Sequence, residues 1–284
     1  MKLRADVRLV ELGLADSREK ARSMIMAGLV YKNGQKLDKA GTFVTADDKI
    51  QVKESLNPFV SRGGLKLQKA ITEYGLELTG KVAMDIGAST GGFTDCMLSH
   101  GAAKVYAIDV GYGQLDWRLR NDGRVVVMER TNARAMVPEW FEERPEFASI
   151  DVSFISVKLI LPALYECLAD EAEAVVLVKP QFEAGREKIG KNGVVKSEET
   201  HIEVLYSTMC FCKEKGYGIK HVDFSPITGP KGNIEFLLVL EKGGDVKNCK
   251  DAAEFERICI ETVKAAHCSL DKKGGEIVYE ESGN

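Results

Sequence analysis

The sequence lacks several features that would define its class. No apolar run approaches the 18 residues that a membrane span requires, and the first residues, MKLRADVRLV, do not resemble a secretory signal peptide. The seven cysteines are an odd number without a Cys-x-x-Cys pair, and the four histidines do not cluster with them. We therefore expect no membrane span, no metal site and no disulfide framework, and we predict a protein of the reducing cytoplasm.

The charge is weakly acidic overall but unevenly distributed. The net charge of the 284 residues is −4 at pH 7. The first 60 residues contain 11 Lys or Arg and 8 Asp or Glu, so this part carries +3 and the remainder carries −7. Because local fields decide what a surface binds, the N-terminal part stays a candidate for nucleic-acid binding.

The N-terminal sixty residues predict a small α+β domain. Their patterns predict two short helices, over 3–15 and 17–30, and Asn33-Gly34 then predicts a β-hairpin. The basic side chains here either face RNA phosphates or form an ordinary solvated surface. The candidate RNA-binding residues are Arg4, Arg8, Arg18, Lys20, Arg22, Lys32 and Lys36, with Arg62 just beyond them.

This stretch resembles the S4-like RNA-binding domain of a small-subunit ribosomal protein and several RNA-modifying enzymes. The resemblance rests on Arg4 and Leu9 at the start, followed by SREKARSMIMAGLVYKNGQ. Helix, glycine and Asn-Gly hairpin occur in that family's order. The resemblance implies binding of structured RNA through shape and phosphate contacts.

A second domain is predicted after Asn57-Pro58, where strands and helices begin to alternate. Strands are predicted near 82–85, 105–109, 125–128, 147–151, 175–179, 219–224 and 234–240, and helices near 64–75, 92–99, 155–169 and 201–216. Such alternation predicts a doubly wound α/β sheet. The predicted domains are 1–60, 61–243 and a charged tail over 244–284, within which AAEFERICIETVKAA has helical periodicity.

The first strand of that domain leads into a glycine-rich loop, MDIGASTGGFTDC. Its spacing is neither that of a dinucleotide fingerprint nor that of a P-loop. Asp85 precedes the loop and suits a cationic or amine-bearing ligand, and Asp109 ends the next strand, where an acid typically accepts from ribose hydroxyls. These features favour S-adenosylmethionine, although glycines here would also permit tight helix packing. The candidate cofactor-binding residues are Asp85, Gly87, Ala88, Ser89, Gly91, Gly92, Phe93 and Asp109.

Four charged residues are predicted at the same edge of the sheet. Lys179 ends the buried strand of VVLVKPQFEAG, and Asp151 ends the strand of FASIDVSFIS. Glu235 begins a later apolar strand and reaches this edge if that strand is antiparallel. Lys66 lies on a helix before the first strand. A single lysine at a strand end is more often a snorkelling surface residue, but two lysines and two acids predict a catalytic site.

The chain resembles the TlyA family, in which an S4-like domain is joined to an FtsJ-like, Rossmann-like methyltransferase domain with a seven-stranded sheet. The matching motifs are SRGGLKL, DIGASTGGFTDC, AIDVGYGQLDWRLR, IDVSFIS, LVKPQFEAG and SPITGPKGNIEF, over residues 1 to about 241. The resemblance implies S-adenosylmethionine-dependent 2′-O-methylation of cytidine ribose in ribosomal RNA or ribosomal subunits. The family's Lys-Asp-Lys-Glu pattern matches Lys66, Asp151, Lys179 and Glu235, with Lys69 as a neighbouring candidate.

Within that resemblance, Asp85, Gly87 and Asp109 match the family's cofactor residues. Asn132, in ERTNAR, stands where relatives often have an acid near the adenine. The chemistry then assigns Lys179 to orient and deprotonate the hydroxyl, which requires its pKa to fall, while the two acids hold the lysines in place. No metal is required.

Two alternatives to this enzyme remain open from the sequence. Family members are often labelled hemolysins, so an indirect lytic effect is one of them. A non-catalytic RNA-binding protein is the other, and it would make the Lys-Asp-Lys-Glu set a coincidence. Cofactor titration separates the classes, because neither alternative needs to bind S-adenosylmethionine.

Overall fold

The computed structural model describes residues 2–15, 17–26, 28–52, 57–243 and 252–270. The chain divides into two compact units, an N-terminal unit over Met1–Pro58 and a C-terminal unit over Phe59–Asn284. Each unit has its own hydrophobic core. Parts of the predicted tail, residues 244–251 and 271–284, lie outside the described residues, and the predicted domain bounds stay a prediction.

The N-terminal unit contains two short helices and two small antiparallel sheets. Its elements are β1 (Leu3–Arg4), α1 (Ala5–Glu11), α2 (Arg18–Met26), β2 (Val30–Lys32), β3 (Gln35–Lys36), β4 (Phe43–Val44) and β5 (Ile50–Val52). The predicted hairpin joins β2 to β3, and its two turn residues, Asn33 and Gly34, have φ values of +50° and +81°. Positive φ at both central residues is what a twisted two-residue hairpin needs, so this prediction is confirmed.

The C-terminal unit is a seven-stranded sheet covered by helices. Its strands are β6 (Val82–Ile86), β7 (Lys104–Ile108), β8 (Val125–Met128), β9 (Phe147–Ile150), β10 (Glu173–Val178), β11 (Tyr217–Phe224) and β12 (Phe236–Lys242). Its helices are α3 (Gly63–Tyr74), α4 (Gly92–Ser99), α5 (Trp117–Arg120), α6 (Leu161–Cys167), α7 (Pro180–Glu183), α8 (Glu198–Glu214) and α9 (Ala252–Leu270). The predicted α/β fold class is confirmed.

The order of the strands brings distant parts of the sequence to one edge of the sheet. The order is β11-β12-β10-β9-β6-β7-β8, and the strands from β6 to β10 are parallel to one another. Strand β12 is antiparallel to β10, with Phe236 opposite Val178. The start of β12 therefore lies beside the end of β10, at the edge of the sheet where β9 also ends, as the prediction for Glu235 required.

Helix α9 changes the interpretation of the C-terminal region. The periodicity that predicted a helix is confirmed, but this helix is not a detached tail. It packs against α8 and β11, and its apolar face joins the core through Phe255, Cys259, Val263, Ala266 and Leu270. The reason is its continuous apolar stripe, which needs a partner surface. Over the described residues, no helix is long and apolar enough to cross a membrane.

Candidate active site

Four charged side chains meet at the carboxyl edge of the sheet. The Nζ atom of Lys66, on α3, lies 2.6 Å from Glu235 Oε2 and 3.6 Å from Asp151 Oδ2. The Nζ atom of Lys179 lies 2.5 Å from Asp151 Oδ1. The predicted tetrad thus forms one connected network, in which Asp151 bridges the two lysines. Strand order brings three of them together, because Asp151, Lys179 and Glu235 adjoin β9, β10 and β12, and α3 adds Lys66.

The tetrad is largely removed from solvent. Lys66, Lys179 and Glu235 are buried, and Asp151 keeps a 17% exposed side chain. Burial alone would lower the pKa of Lys66, but the carboxylates of Asp151 and Glu235 outweigh it and raise that pKa. Two cations and two anions balance one another, so the cluster is close to neutral when all four are charged.

An exposed phenylalanine adjoins this network and was not among the predicted residues. Phe154 is 92% exposed, and its φ of +64° is unusual for a bulky residue. Its ring centroid lies 5.2 Å from that of Phe182, whose own ring lies 5.9 Å from Lys179 Nζ. An exposed, strained aromatic residue beside a reactive group suggests a binding role. The available signal was its place in IDVSFIS, directly after a strand that ends at the site.

The glycines of the cofactor loop are needed both for conformation and for packing. Gly87 and Gly91 have φ values of +85° and +94°. A Cβ atom on Gly87 would lie 2.5 Å from the carbonyl oxygen of Asp151, and one on Gly91 would lie 2.2 Å from a methyl group of Leu119. A Cβ atom on Gly92 would come equally close to the Ser61 hydroxyl. The packing alternative therefore applies at these positions, and at Gly87 it accounts for the loop's close approach to Asp151 of the tetrad.

Other predicted cofactor residues divide into exposed and buried sets. Asp109 is half-buried and accepts N–H groups from Ser89, at 2.8 Å, and from Gly111, at 2.6 Å. A carboxylate has about four acceptor positions, so it can still accept from a ligand. Ser89 is exposed, whereas Ala88 and Phe93 pack in the core. Asn132 is exposed and accepts the Arg134 N–H at 3.2 Å.

Asp85 lies in the interior beneath the cofactor loop. Its side chain is fully buried, and it accepts hydroxyl hydrogen bonds from Thr94 at 2.7 Å and Ser149 at 3.2 Å. Burial raises its pKa to about 7, although both hydrogen bonds oppose that rise. The carboxyl group links β6 to α4 and β9 beneath the loop, and its predicted contact with the cofactor stays a prediction.

The predicted RNA-binding residues of the N-terminal unit fall into two groups. Arg4, Arg18 and Arg22 converge on the buried Asp6, at 2.9, 3.2 and 3.2 Å. These ion pairs hold the pKa of Asp6 well below its usual range, the contact from Arg4 contributing most. Each arginine keeps about half of its side chain exposed, and the four charges sum to +2. This cluster therefore links β1, α1 and α2 through the buried Asp6 and also forms a basic surface.

The remaining predicted cations are held less tightly. Arg8 pairs with Glu11 at 2.7 Å, and Lys32 pairs with Asp48 at 3.0 Å. The other side chains are exposed, namely Lys20 and Lys36 in the N-terminal unit and Arg62 in the C-terminal unit. Lys20, Lys36 and Arg62 thus lie exposed on the surface of their own unit, whereas Arg8 and Lys32 are partly buried.

The mixed seven-stranded sheet belongs to a methyltransferase of the FtsJ-like class, as the match to that family shows. The FtsJ-like methyltransferase family matches residues 59–242, and the S4 domain matches residues 3–50. With both matches and the relatives described next, this chain belongs to the TlyA family of methyltransferases. The predicted family and the predicted enzyme class are confirmed.

Similar proteins cover nearly the whole chain. A Bacillus subtilis protein, provisionally named rRNA methyltransferase YqxC, is 50% identical over 97% of this chain and 98% of its own length. The 16S/23S rRNA (cytidine-2′-O)-methyltransferase TlyA of Mycobacterium tuberculosis is 43% identical over 85% of this chain and 91% of its own. A solved structure from Streptococcus thermophilus, provisionally described as a hemolysin, is 47% identical, covers 96% of this chain and 98% of its own, and has a TM-score of 0.76.

Proposed function

We propose that this chain transfers a methyl group from S-adenosylmethionine to the ribose 2′-hydroxyl of cytidine in ribosomal RNA. The observation that carries the proposal is the connected Lys66–Asp151–Lys179–Glu235 network at the carboxyl edge of the sheet. The substrate class is supported by the S4 domain and by the names of relatives, which include the Mycobacterium tuberculosis enzyme.

The cofactor loop fits S-adenosylmethionine. Asp109 keeps acceptor positions for ribose hydroxyls beside the exposed Ser89, and Gly87 lets the loop approach Asp151 closely. Asn132 is exposed, and the N–H of its neighbour Thr131 donates to the Asp109 carbonyl at 2.9 Å, so the Asn132 amide is placed to accept from or donate to an adenine. When bound, the cofactor supplies a methyl group on a sulfonium, and the group that remains is a neutral thioether.

The protein must then position the hydroxyl and accept its proton. Lys66 is held by two carboxylates, so its hydrogen bonds are largely committed. Lys179 has one carboxylate partner and a weaker contact with the Ser153 hydroxyl at 3.4 Å. Lys179 is therefore the lysine with capacity for the substrate hydroxyl, and as a neutral amine it accepts the proton at Nζ. Asp151 and Glu235 hold the ammonium groups of both lysines in position through these ion pairs.

Phe154 supplies an apolar contact for a nucleobase. Stacking of a base on an aromatic ring contributes about 1–3 kcal/mol and tolerates any base. The exposed ring of Phe154 lies against Phe182, which also borders Lys179. A base stacked there would place its own ribose near the tetrad. The hemolysin name belongs to relatives, and no feature of the described residues favours lysis over methyl transfer.

The test is methyl transfer to in vitro transcribed 16S and 23S ribosomal RNA, using labelled S-adenosylmethionine and nuclease mapping of the product. We expect 2′-O-methylcytidine with the wild type and none with Lys179→Met. Lys215→Met, at a partly exposed lysine after α8, serves as the charge control and should retain activity. Label on a base, or cofactor binding without transfer to either RNA, would contradict the proposal.

A further inference from the structure

A groove of about 440 Å³ lies on the C-terminal unit, in the segment that links α7 to α8. Three of the described residues that line it are lysines, Lys188, Lys191 and Lys196. No described lining residue is acidic. All three lysines are exposed. A concave surface lined by cations of one sign attracts an anion more strongly than the same charges spread over a convex surface.

The backbone that carries these lysines is fixed by a buried side chain. Asn233 is 3% exposed, its amide donates to the carbonyl of Gly193 at 3.0 Å, and its oxygen accepts the N–H of Val195 at 3.0 Å. A tight turn, with the Gly190 N–H bonded to the Val194 carbonyl at 3.0 Å, completes the loop. A loop ordered in advance loses little entropy when it binds a partner.

The same segment is connected through short stretches of chain to two members of the tetrad, Lys179 and Glu235. It begins directly after α7, which follows Lys179, and the residue that fixes it, Asn233, stands two positions before Glu235. Lys231 adds a further cation, since its Nζ atom lies 3.6 Å from the place where a Cβ of Gly193 would be. A strand of RNA whose ribose reaches Lys179 therefore has phosphates to place close to this loop.

The acidic residues beside the groove neutralise only part of its charge. Glu203 pairs with Lys188, Glu199 accepts the Ser197 hydroxyl at 2.5 Å, and Glu198 lies 4.0 Å from His267. Over the described residues, Lys191, Lys196 and Lys231 have no ion pair. Lys188 is therefore partly neutralised by Glu203, whereas Lys191 and Lys196 present charge that no ion pair neutralises, which is what a phosphodiester backbone requires.

We propose that the groove lined by Lys188, Lys191 and Lys196 binds the phosphate backbone of the substrate RNA beside the target nucleotide. The inference rests on the proposed function for its substrate, but not on the chemistry of transfer. The groove contributes affinity and not catalysis, because the tetrad contacts the ribose and these lysines contact only phosphates.

The test replaces all three lysines by glutamine and measures binding of in vitro transcribed ribosomal RNA without cofactor at several salt concentrations. We expect at least about 10-fold weaker binding, and a slope of log affinity against log salt that is smaller by about 2, since each phosphate contact contributes roughly 0.7. In turnover, KM for RNA should rise while kcat stays the same. The control replaces Lys81, Lys104 and Lys215, which lie at the opposite edge of the sheet, by glutamine.

Each outcome decides the question. Unchanged binding and slope in the groove variant would overturn the proposal, as would equal losses in the groove and control variants, which would indicate an effect of net charge alone. Competition by millimolar inorganic phosphate would indicate a small-anion site in place of an RNA surface. If the wild type binds RNA through the groove but transfers no methyl group, the proposed function fails and the groove stands.

Discussion

Lys179 is the residue on which the proposed chemistry depends. Lys179→Ala should lower kcat by roughly 100- to 10,000-fold, the usual contribution of a positioned proton acceptor, and leave cofactor affinity unchanged. Lys179→Arg should be nearly as inactive, because arginine keeps its proton and its planar fork misplaces the hydroxyl. Single-turnover rates, with calorimetry of S-adenosylmethionine binding, measure both effects.

The pH dependence of the same rates separates two roles of Lys179. A lysine that accepts the proton must be neutral, so the rate should rise with pH until the amine is largely deprotonated. A lysine that only orients the hydroxyl would give a rate that does not follow its ionisation. An arginine variant with near-normal rates would show that Lys179 supplies only positive charge.

Asp85 predicts a pH dependence of stability. Its pKa is about 7 in the folded chain and near 3.8 when unfolded, so between these values the folded state holds a proton that the unfolded state has released. The contribution of Asp85 therefore falls as pH rises through this window, by as much as about 4 kcal/mol, and stays low above pH 7. Asp85→Asn should remove this loss, because the Thr94 and Ser149 hydroxyls can rotate to suit an amide.

Urea unfolding at pH 5 and pH 8 measures that effect as a difference between variant and wild type. Asp85→Asn should gain free energy of unfolding, relative to the wild type, on going from pH 5 to pH 8. Asp170→Asn is the matched control, because the Asp170 side chain is 96% exposed. The same pH-dependent difference in both variants would refute the assignment to Asp85.

At the scale of the elements, helix α3 is fixed to the end of β11 by a second lysine. Lys69 Nζ lies 2.6 Å from Asp223 Oδ2 and donates to the Phe224 carbonyl at 2.9 Å, and the Tyr74 hydroxyl donates to the same Asp223 oxygen at 2.9 Å. Lys66 lies one turn earlier on α3. We therefore expect the Lys69 contacts to set where Lys66 meets Glu235, which would make Lys69 a positioning residue.

Lys69→Met should lower kcat about 10-fold, the order expected when a positioning contact is lost, with little change in KM for RNA. Lys69→Arg should restore most of the rate, since arginine can still reach the carboxylate and the carbonyl. Glu73→Gln is the control, because Glu73 is half-exposed and lies 3.9 Å from Lys69. Steady-state kinetics measure these effects, and melting temperatures of the variants detect general destabilisation. An unchanged kcat in Lys69→Met would contradict this role.

At the scale of the whole molecule, the two units predict a division of labour. Deletion of residues 1–57 removes the arginine cluster around Asp6 but none of the tetrad or the cofactor loop. S-adenosylmethionine binding should stay intact, while RNA affinity and its salt dependence should both decrease. Calorimetry and salt titrations compare the two proteins. If the truncated chain methylated ribosomal RNA as well as the full chain does, a role of the N-terminal unit in RNA binding would be refuted.

Particular residues show how far the sequence alone leads. The tetrad could be predicted because each member adjoins an apolar strand or motif, and strand ends gather at one edge. The burial of Asp85 could not, since it depends on Ser149, 64 residues away on a neighbouring strand. The exposure of Phe154 depends on a local positive φ that no propensity indicates, and the docking of α9 depends on tertiary contacts with α8 and β11.

The separate cores have a consequence for biosynthesis. The core of the N-terminal unit lies within its first 52 residues, whereas the core of the C-terminal unit needs α9, which ends at Leu270. At about 5–20 residues per second, translation takes roughly 10–40 s to add the intervening chain. We expect stalled nascent chains of intermediate length to show a protease-resistant N-terminal unit and a C-terminal unit that is still cleaved. The nascent chain is thus expected to bind RNA through its N-terminal unit before its catalytic unit has folded, while it is still attached to the ribosome, which itself contains ribosomal RNA.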